Sequence, residues 1–531
     1  MGSLGGVLDV AVIGAGFAGM HMLDQLRRHG FDCHAYESAP GVGGTWYWNR
    51  YPGARCDVES LDYSYLHDRE LYEAWAWSSR FASQPEILRY AEHFAERQDL
   101  LPHITFGTTV LGATFADGSW TLGTDTGEQV RARFVVTAVG CMSAVNTPPI
   151  PGLEQFGGTL LRTARWPTEP VELTGRRVGV IGTGSSGVQL VPELAREAAE
   201  LVVFQRTPNF SVPARNRPLT EAERVAAVTE YERKVVHAST TRFGHPVTGT
   251  GRAALATEPA ERAAEFDKGW ERGGTHIVAT FTDTGRDPTA NAVLAEYFRD
   301  RIRETVHDEQ LARALTPIGY PIGTKRLCVD DGYYETFNHS HVELVDLRHD
   351  PIEEVTETGI RTRSGDYELD VLVLATGFDA FTGSLTRLGL TDRAGKALAD
   401  RWQDGPRSYL GLAVAGFPNL FTLTGPGSTM VLSNVMRAIE HHVEWVRELL
   451  LHARSHGITE VEALESAEND WVARVAELAG RTLYPHTDSY YLGANIEGKA
   501  RVFAPFAGGL DAYRRICDDV AAQGYRGFRT A

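Results

Sequence analysis

Two glycine-rich loops contain the residues with the clearest chemical meaning in this sequence. Each loop follows a short apolar run, at residues 10–13 and 178–181, and each is followed by a second apolar run. The glycines of such a loop allow a tight strand-to-helix turn and let the backbone approach a pyrophosphate at the helix N-terminus. The flanking strands favour two dinucleotide sites over ordinary glycine-rich turns. The loop residues are Gly14, Gly16 and Gly19 in the first site, and Gly182, Thr183, Gly184, Ser185, Ser186 and Gly187 in the second.

The residue at the end of the next strand distinguishes the two sites. After the first loop this residue is Glu37, whose carboxylate can accept hydrogen bonds from ribose hydroxyls and would repel the 2′-phosphate of NADP. After the second loop the equivalent place holds Arg206 and Thr207. A guanidinium pairs bidentately with a phosphate. The sequence therefore predicts FAD at the first site and NADPH at the second.

The elements that position these loops predict an α/β fold. We expect two dinucleotide-binding, Rossmann-like domains with a helical insertion in the NADP domain. Residues 1–141 and 379–531 are assigned to a discontinuous FAD-binding domain, and residues 142–217 and 323–378 to the NADP-binding domain. The insertion covers residues 218–322, where polar helix formers dominate, and we expect it to lie over the active site.

The composition excludes several classes of protein. A hydrophobic fraction of 43%, a charged fraction of 23% and a net charge of −17 predict a soluble globular protein that binds neither nucleic acid nor an anionic membrane. Apolar runs of about 18 residues, which a membrane span requires, are absent. The chain enters its first strand almost at once, so we expect no signal peptide and a cytoplasmic location. The five cysteines lack metal or redox spacing, which predicts reduced thiols and no metal site. A monomer is the default expectation.

Several further motifs resemble the type I Baeyer–Villiger monooxygenases, and most closely the phenylacetone and cyclohexanone monooxygenase group. The resemblance extends from about residue 8 to the C-terminus and includes segments 323–327, 375–379 and 493–495. One signature of the family is matched in full, by Gly43, Gly44, Trp46, Tyr51, Pro52, Gly53 and Asp57. A second signature is matched except at its histidine, which is Arg162 here, by Phe156, Gly158, Trp166 and Pro167.

The resemblance implies a reaction and two residues that carry it. A family member uses NADPH and O2 to form a C4a-peroxyflavin, which converts ketones to esters or lactones and can also oxidise sulfides. Arg326 would supply the fixed positive charge that the peroxyanion needs, because arginine does not lose its proton. Asp57 would hold Arg326 in place, since a buried charge requires a partner.

The same resemblance implies roles for other cofactor and substrate residues. Gly44, Thr45, Trp46 and Tyr63 would contact the flavin, and Tyr51 would pack near it. Lys325 would bind the NADP 2′-phosphate together with Arg206 and Thr207. Tyr490 replaces a family tryptophan and would donate to the nicotinamide ribose. The residues expected to form an apolar ketone pocket are Met430, Val431, Leu432 and Val435.

The departure at Arg162 leaves two interpretations open. Together with Trp166, Arg162 is expected at the hinge between the domains, where it either has drifted harmlessly or alters domain motion. Two functional alternatives also remain. The chain could be an N- or S-oxidising flavin monooxygenase, or an NADPH oxidase in which reduction is uncoupled from oxygen transfer.

Overall fold

The computed structural model describes residues 6–247 and 249–531. The strands in this part of the chain are β1 Leu8–Ile13, β2 Cys33–Tyr36, β3 Ile104–Thr105, β4 Val110–Ala116, β5 Ser119–Thr124, β6 Gln129–Thr137, β7 Thr159–Arg162, β8 Arg177–Ile181, β9 Glu200–Gln205, β10 Ser211–Pro213, β11 Cys328–Asp330, β12 Val342–Asp346, β13 Ile352–Thr356, β14 Gly359–Thr362, β15 Asp366–Glu368, β16 Val371–Leu374, β17 Leu390–Thr391, β18 Leu420–Thr422, β19 Val461–Ala463 and β20 Phe528–Thr530.

Helices connect and cover these strands. They are α1 Phe17–Arg28, α2 Thr45–Trp48, α3 Arg69–Ala74, α4 Gln84–Arg97, α5 Ser185–Ala195, α6 Glu221–Thr229, α7 Tyr231–Thr240, α8 Pro259–Arg272, α9 Pro288–Thr305, α10 Glu309–Leu315, α11 Tyr333–Thr336, α12 Gly383–Thr386, α13 Leu398–Arg401, α14 Val435–Ser455, α15 Glu465–Gly480 and α16 Leu510–Ala522.

The first sheet holds the first glycine loop. Its order is β17-β4-β5-β6-β1-β2-β3, and β18 also pairs with β6. β1 is parallel to both β2 and β6, with Val10 opposite Cys33 and Phe134. β1 is apolar along nearly its whole length because a central parallel strand is covered on both faces. The chain therefore returns to its first sheet after leaving the second one.

The second sheet holds the second glycine loop. Its order is β12-β9-β8-β16-β7, and every pairing within it is parallel. Each glycine loop lies in a β–α–β unit, β1–α1–β2 in the first sheet and β8–α5–β9 in the second. The ligand side of such a sheet is the edge formed by the carboxyl ends of the strands. The α/β class with two Rossmann-like units is confirmed.

A helical segment separates two parts of the second unit. Helices α6 to α10 lie between β10 and β11, and these two strands pair in parallel, with Ser211 opposite Cys328. Of these helices, α8 and α9 pack around a cluster that includes Phe266, Phe281 and Phe298. In the described part of the chain, every helix is too short or too polar to cross a membrane.

Candidate active site

The first glycine loop forms a close-packed turn in front of α1. Gly14 has a φ of +102°, and a Cβ there would lie 2.6 Å from the carbonyl oxygen of Ala138. A Cβ on Gly19 would lie 1.9 Å from the carbonyl oxygen of Gly14. No side chain caps the N-terminus of α1, so its N–H groups and positive dipole end are available to an anion. The loop fits the pyrophosphate of a dinucleotide.

Glu37 is tied to the same loop by its carboxylate. One oxygen, Oε2, accepts a hydrogen bond of 2.7 Å from the backbone N–H of Ala15. The other, Oε1, accepts one of 2.7 Å from the N–H of Ala39. Oε1 also accepts a 3.2 Å hydrogen bond from the Ser38 hydroxyl, whereas Oε2 keeps a second lone pair that can accept a ribose hydroxyl. Glu37 thus fixes the loop and can still bind a ribose.

The second loop repeats this geometry and is more open at its middle glycine. Gly182 has a φ of +113°, and its Cβ would lie 2.5 Å from the carbonyl oxygen of Ala375. A Cβ on Gly187 would lie 2.2 Å from the carbonyl oxygen of Gly182, whereas one on Gly184 would meet nothing within 4 Å. The N-terminus of α5 has no side-chain cap. The open face at Gly184 is where a phosphate can approach the backbone.

Two cations lie beyond the second loop. Arg206 is exposed, and Lys325 Nζ lies 4.9 Å from the centre of the Tyr320 ring. Burial and the nearby charge of Arg206 lower the pKa of Lys325. Neither side chain forms an ion pair with any residue that the structure describes. Thr207 lies beside them, and its carbonyl oxygen accepts a 2.9 Å hydrogen bond from the Thr183 hydroxyl. The arrangement suits a phosphate group.

Arg326 and Asp57 form a bidentate ion pair. Arg326 Nε donates to Asp57 Oδ2 at 2.8 Å, and Arg326 Nη2 donates to Asp57 Oδ1 at 2.7 Å. A third bond of 2.9 Å runs from Nη1 to the carbonyl oxygen of Val431. Burial lowers the pKa of Arg326, but the Asp57 charge and hydrogen bonds outweigh it and raise that pKa well above its ordinary value. The guanidinium is thus a permanent cation held in one orientation.

Aromatic side chains lie near this ion pair. Trp46 Nε1 donates a 2.8 Å hydrogen bond to the Tyr63 hydroxyl, and the two rings meet edge to face. The Tyr490 and Tyr491 rings are tilted by 39° to each other, with centres 4.5 Å apart. Burial raises the pKa of Tyr491, while the neighbouring Arg326 opposes this rise. Sequence analysis selected Tyr490 and missed Tyr491, whose only signal was the adjacent aromatic pair.

The segment around Tyr51 connects the two dinucleotide units. The Tyr51 hydroxyl donates a 2.9 Å hydrogen bond to Gln189 Oε1 of α5. A Cβ on Gly53 would lie 2.5 Å from the Gln189 carbonyl oxygen, so only glycine allows this close approach. Tyr51 therefore packs against the second unit, a contact not foreseen from the sequence, and its expected position near the flavin stays a prediction. Gln189 gave no signal in the sequence. Thr45 is exposed beside Gly44, which has a φ of +56°.

The expected ketone pocket divides into a buried and an open part. Met430 is fully buried in an apolar cluster with Phe381 and Phe503. Val431 and Leu432 are half-buried, and the Val431 carbonyl is the one that binds Arg326. Val435 is half-buried at the start of α14. The structure thus brings Val431 to the ion pair, whereas the Met430 side chain belongs to the core.

The hinge candidates lie at the end of β7 in the second sheet and just after it. Arg162 is the last residue of β7, opposite Leu374 of β16, and it is half-buried. Its guanidinium makes no hydrogen bond or ion pair with the residues that the structure describes. Trp166 is buried, and its backbone N–H donates a 3.3 Å hydrogen bond to the carbonyl oxygen of Trp48 in the first unit. Trp166 therefore contacts the first unit directly.

Comparisons with known proteins show to which proteins this chain is similar. The family model described as "Flavin-binding monooxygenase-like" matches residues 8–215. The phenazine N-monooxygenase PhzNO1 of Lysobacter antibioticus is 40% identical over 526 residues, which cover 98% of this chain and 96% of that protein. A Baeyer–Villiger monooxygenase of Pseudooceanicola batsensis is 38% identical over 531 residues, with 98% and 96% coverage.

Two solved structures are similar to this chain over nearly its whole length. An oxidised steroid monooxygenase bound to NADP has a TM-score of 0.95 at 46% identity and 99% coverage of both chains. The OTEMO complex with FAD and NADP has a TM-score of 0.96 at 38% identity, with the same coverage. Because these matches span the whole chain, it belongs to the Baeyer–Villiger monooxygenases of the flavin-binding monooxygenase-like family.

Proposed function

We propose that this chain is an FAD-containing, NADPH-dependent Baeyer–Villiger monooxygenase that converts ketones to esters or lactones. The observation that carries the proposal is the guanidinium of Arg326, fixed by Asp57 and by the Val431 carbonyl. In the overall reaction one atom of O2 enters beside the ketone carbonyl and the other leaves as water, while NADPH is oxidised. FAD and NADPH, when bound, supply the hydride transfer and the oxygen activation.

Arg326 acts in this proposal as a fixed charge. Addition to a ketone turns the carbonyl oxygen into an anion, and a preorganised cation stabilises that charge without reorganisation. Arginine is suited to this role because it stays protonated over the whole working pH range. Asp57 acts as a positioning residue, since its two oxygens accept from two nitrogens of the same planar fork.

Two cofactor sites complete the proposal. The first loop with Glu37 and Trp46 would hold FAD, and the second loop with Arg206, Lys325 and Tyr490 would hold NADPH. We keep the domain division as part of the proposal, with residues 1–141 and 379–531 around FAD, 142–217 and 323–378 around NADPH, and 218–322 as the insertion. O2 as co-substrate, a monomeric state and a cytoplasmic location are also part of the proposal.

The test measures both the products and the ratio of ester formed to NADPH consumed. The purified protein is incubated with NADPH and a panel of aliphatic, cyclic and aryl ketones, and ester formed is compared with NADPH consumed. Arg326→Ala should lower ester formation by at least ~10³-fold, by analogy with removal of an oxyanion donor, and should keep its FAD. Arg326→Lys should retain partial activity at best, because the charge remains but the fork does not.

A matched control removes an arginine elsewhere. Arg196 follows α5 and is exposed, and among the described residues its ion pair is with half-buried Glu193, so Arg196→Ala should keep wild-type ester formation. Substantial ester production by Arg326→Ala would show that another group provides the charge. NADPH oxidation without any product would instead favour the uncoupled oxidase.

Oxidation of a nitrogen or sulfur atom is the second candidate function. The observation that favours it is the 40% identity to a protein named as a phenazine N-monooxygenase. The same incubation with phenazines, a tertiary amine and an aryl sulfide separates the candidates by mass spectrometry of the products. If N-oxides form faster than esters over the whole panel, the ketone assignment is wrong.

A further inference from the structure

A cluster of potential metal ligands lies behind the first glycine loop. His21 and Asp24 are on one face of α1, and His67 is in the segment that precedes α3. One ligand atom from each of these three residues lies within 4.8 Å of the other two. The sequence analysis predicted no metal site from the spacing of the cysteines. The two histidines are 46 positions apart, so their proximity gave no signal in the sequence.

The two imidazoles have nitrogen atoms without a hydrogen-bond partner among residues 6–247 and 249–531. His21 is fully buried, and within these residues neither of its ring nitrogens has a partner. The Nε2 atom of His67 is also buried and has no partner in the same part of the chain. The ring centres are 4.0 Å apart. Buried polar groups are normally satisfied, so unpaired nitrogens on two adjacent rings indicate a missing common partner.

His67 and Asp24 are oriented by hydrogen bonds with neighbouring side chains, as metal ligands are oriented by their outer-shell groups. Glu440 Oε1, from α14, lies 3.3 Å from His67 Nδ1, which leaves Nε2 of His67 for a metal. Asp24 accepts hydrogen bonds of 2.7 Å from Arg28 Nε and 3.0 Å from Gln25 Nε2. These bonds fix the carboxylate, and each oxygen keeps a lone pair.

Three arginines lie near His21. Arg437 pairs with Glu440 and Arg447 pairs with Glu448, so part of their positive charge is neutralised. Arg28 pairs with Asp24 at 2.7 Å, so a bound cation would share this carboxylate with Arg28.

We propose that His21, Asp24 and His67 bind a zinc ion. Two imidazoles and one carboxylate are a ligand set that Zn²⁺ accepts, and a water molecule would complete the tetrahedron. α14 packs against α1 and carries Glu440, so the ion would connect α1, the segment before α3 and α14. By connecting these segments, the ion would hold α1, whose N-terminus follows the first glycine loop.

The test uses the full-length, FAD-loaded protein and the metal ions alone. After dialysis against a chelator, Zn²⁺ is titrated, bound metal is measured by mass spectrometry, and thermal unfolding is recorded at each Zn²⁺ concentration. We expect one equivalent of Zn²⁺ per chain and a Tm that rises with Zn²⁺. Co²⁺ in the same site should give the visible absorption of four-coordinate cobalt, which reports the geometry in the unmutated protein.

Three variants separate this site from adventitious binding. His67→Gln should abolish the stoichiometric binding, and Glu440→Gln should weaken it by about 10- to 100-fold. His456→Gln should leave binding unchanged, because it alters the pair formed by half-buried His452 and exposed His456 at the end of α14, away from the cluster. FAD content and ester formation check that each variant is folded.

Two results would overturn the proposal. One is an unmutated protein that holds less than stoichiometric Zn²⁺ and gives no four-coordinate cobalt spectrum. The other is binding that survives in His67→Gln and disappears in His456→Gln, which would place the metal at the surface pair.

Discussion

Replacing Asp57 by Asn should lower ester formation while the protein keeps its FAD. The amide oxygen of Asn can still accept one bond from Arg326, but the amide nitrogen is a donor and cannot replace the second. One hydrogen bond between charged groups is therefore lost, from a pair whose side chains are 28% and 24% exposed. Such a bond contributes about 1.5–3 kcal/mol, which corresponds to a decrease in kcat of roughly 10- to 150-fold.

A double-mutant cycle tests whether Asp57 acts through Arg326. Rates of ester formation and of NADPH oxidation are measured for Asp57→Asn, Arg326→Ala and the double variant. If Asp57 only positions the guanidinium, its replacement should change neither rate further once Arg326 is gone. Multiplicative effects in the double variant would refute this reasoning, because Asp57 would then act independently.

A matched control for this change is available two residues away. Glu59 pairs with Arg80 at 2.8 Å rather than with Arg326. Glu59→Gln makes the same chemical change in the same segment and should leave kcat close to that of the unmutated protein. An equal loss of kcat in both variants would indicate a general effect on this loop.

Three further changes address the second dinucleotide site and the hinge. Arg206→Ala should raise the KM for NADPH by roughly 30- to 150-fold with little effect on NADH kinetics, and equal use of NADH and NADPH before mutation would contradict the assignment. Because burial and Arg206 lower the pKa of Lys325, its charge is present at low pH and is lost at a lower pH than for an ordinary lysine. The KM for NADPH should therefore rise with pH in the alkaline range. Lys325→Ala should bind NADPH more weakly at neutral pH, and its KM should no longer show this rise. Arg162→His should change the ester formed per NADPH consumed without changing FAD content, whereas an altered ketone preference with unchanged coupling would place Arg162 in the substrate pocket.

The sequence alone determined the two dinucleotide units. Each glycine loop, its flanking strands and the residue after the second strand lie within a few tens of positions, and their chemistry follows from local backbone geometry. A Cβ on Gly19 or Gly187 would collide with the carbonyl oxygen of Gly14 or Gly182 in the same loop, so this requirement for glycine is local. The α/β class follows from the same local pattern.

Only the tertiary structure decided which distant side chains meet. Asp57 and Arg326 are 269 positions apart, and without the family resemblance nothing in the sequence pairs them. Tyr51 reaches α5, Met430 enters the core and His21 meets His67 because sheets and long helices pack in a particular order. Local periodicity gives the buried face of an element but not its neighbour, since hydrophobic burial is non-directional. The two glycine-rich loops could therefore be identified from the sequence. The contacts between the two units depend on how the buried faces of the helices and strands pack against each other.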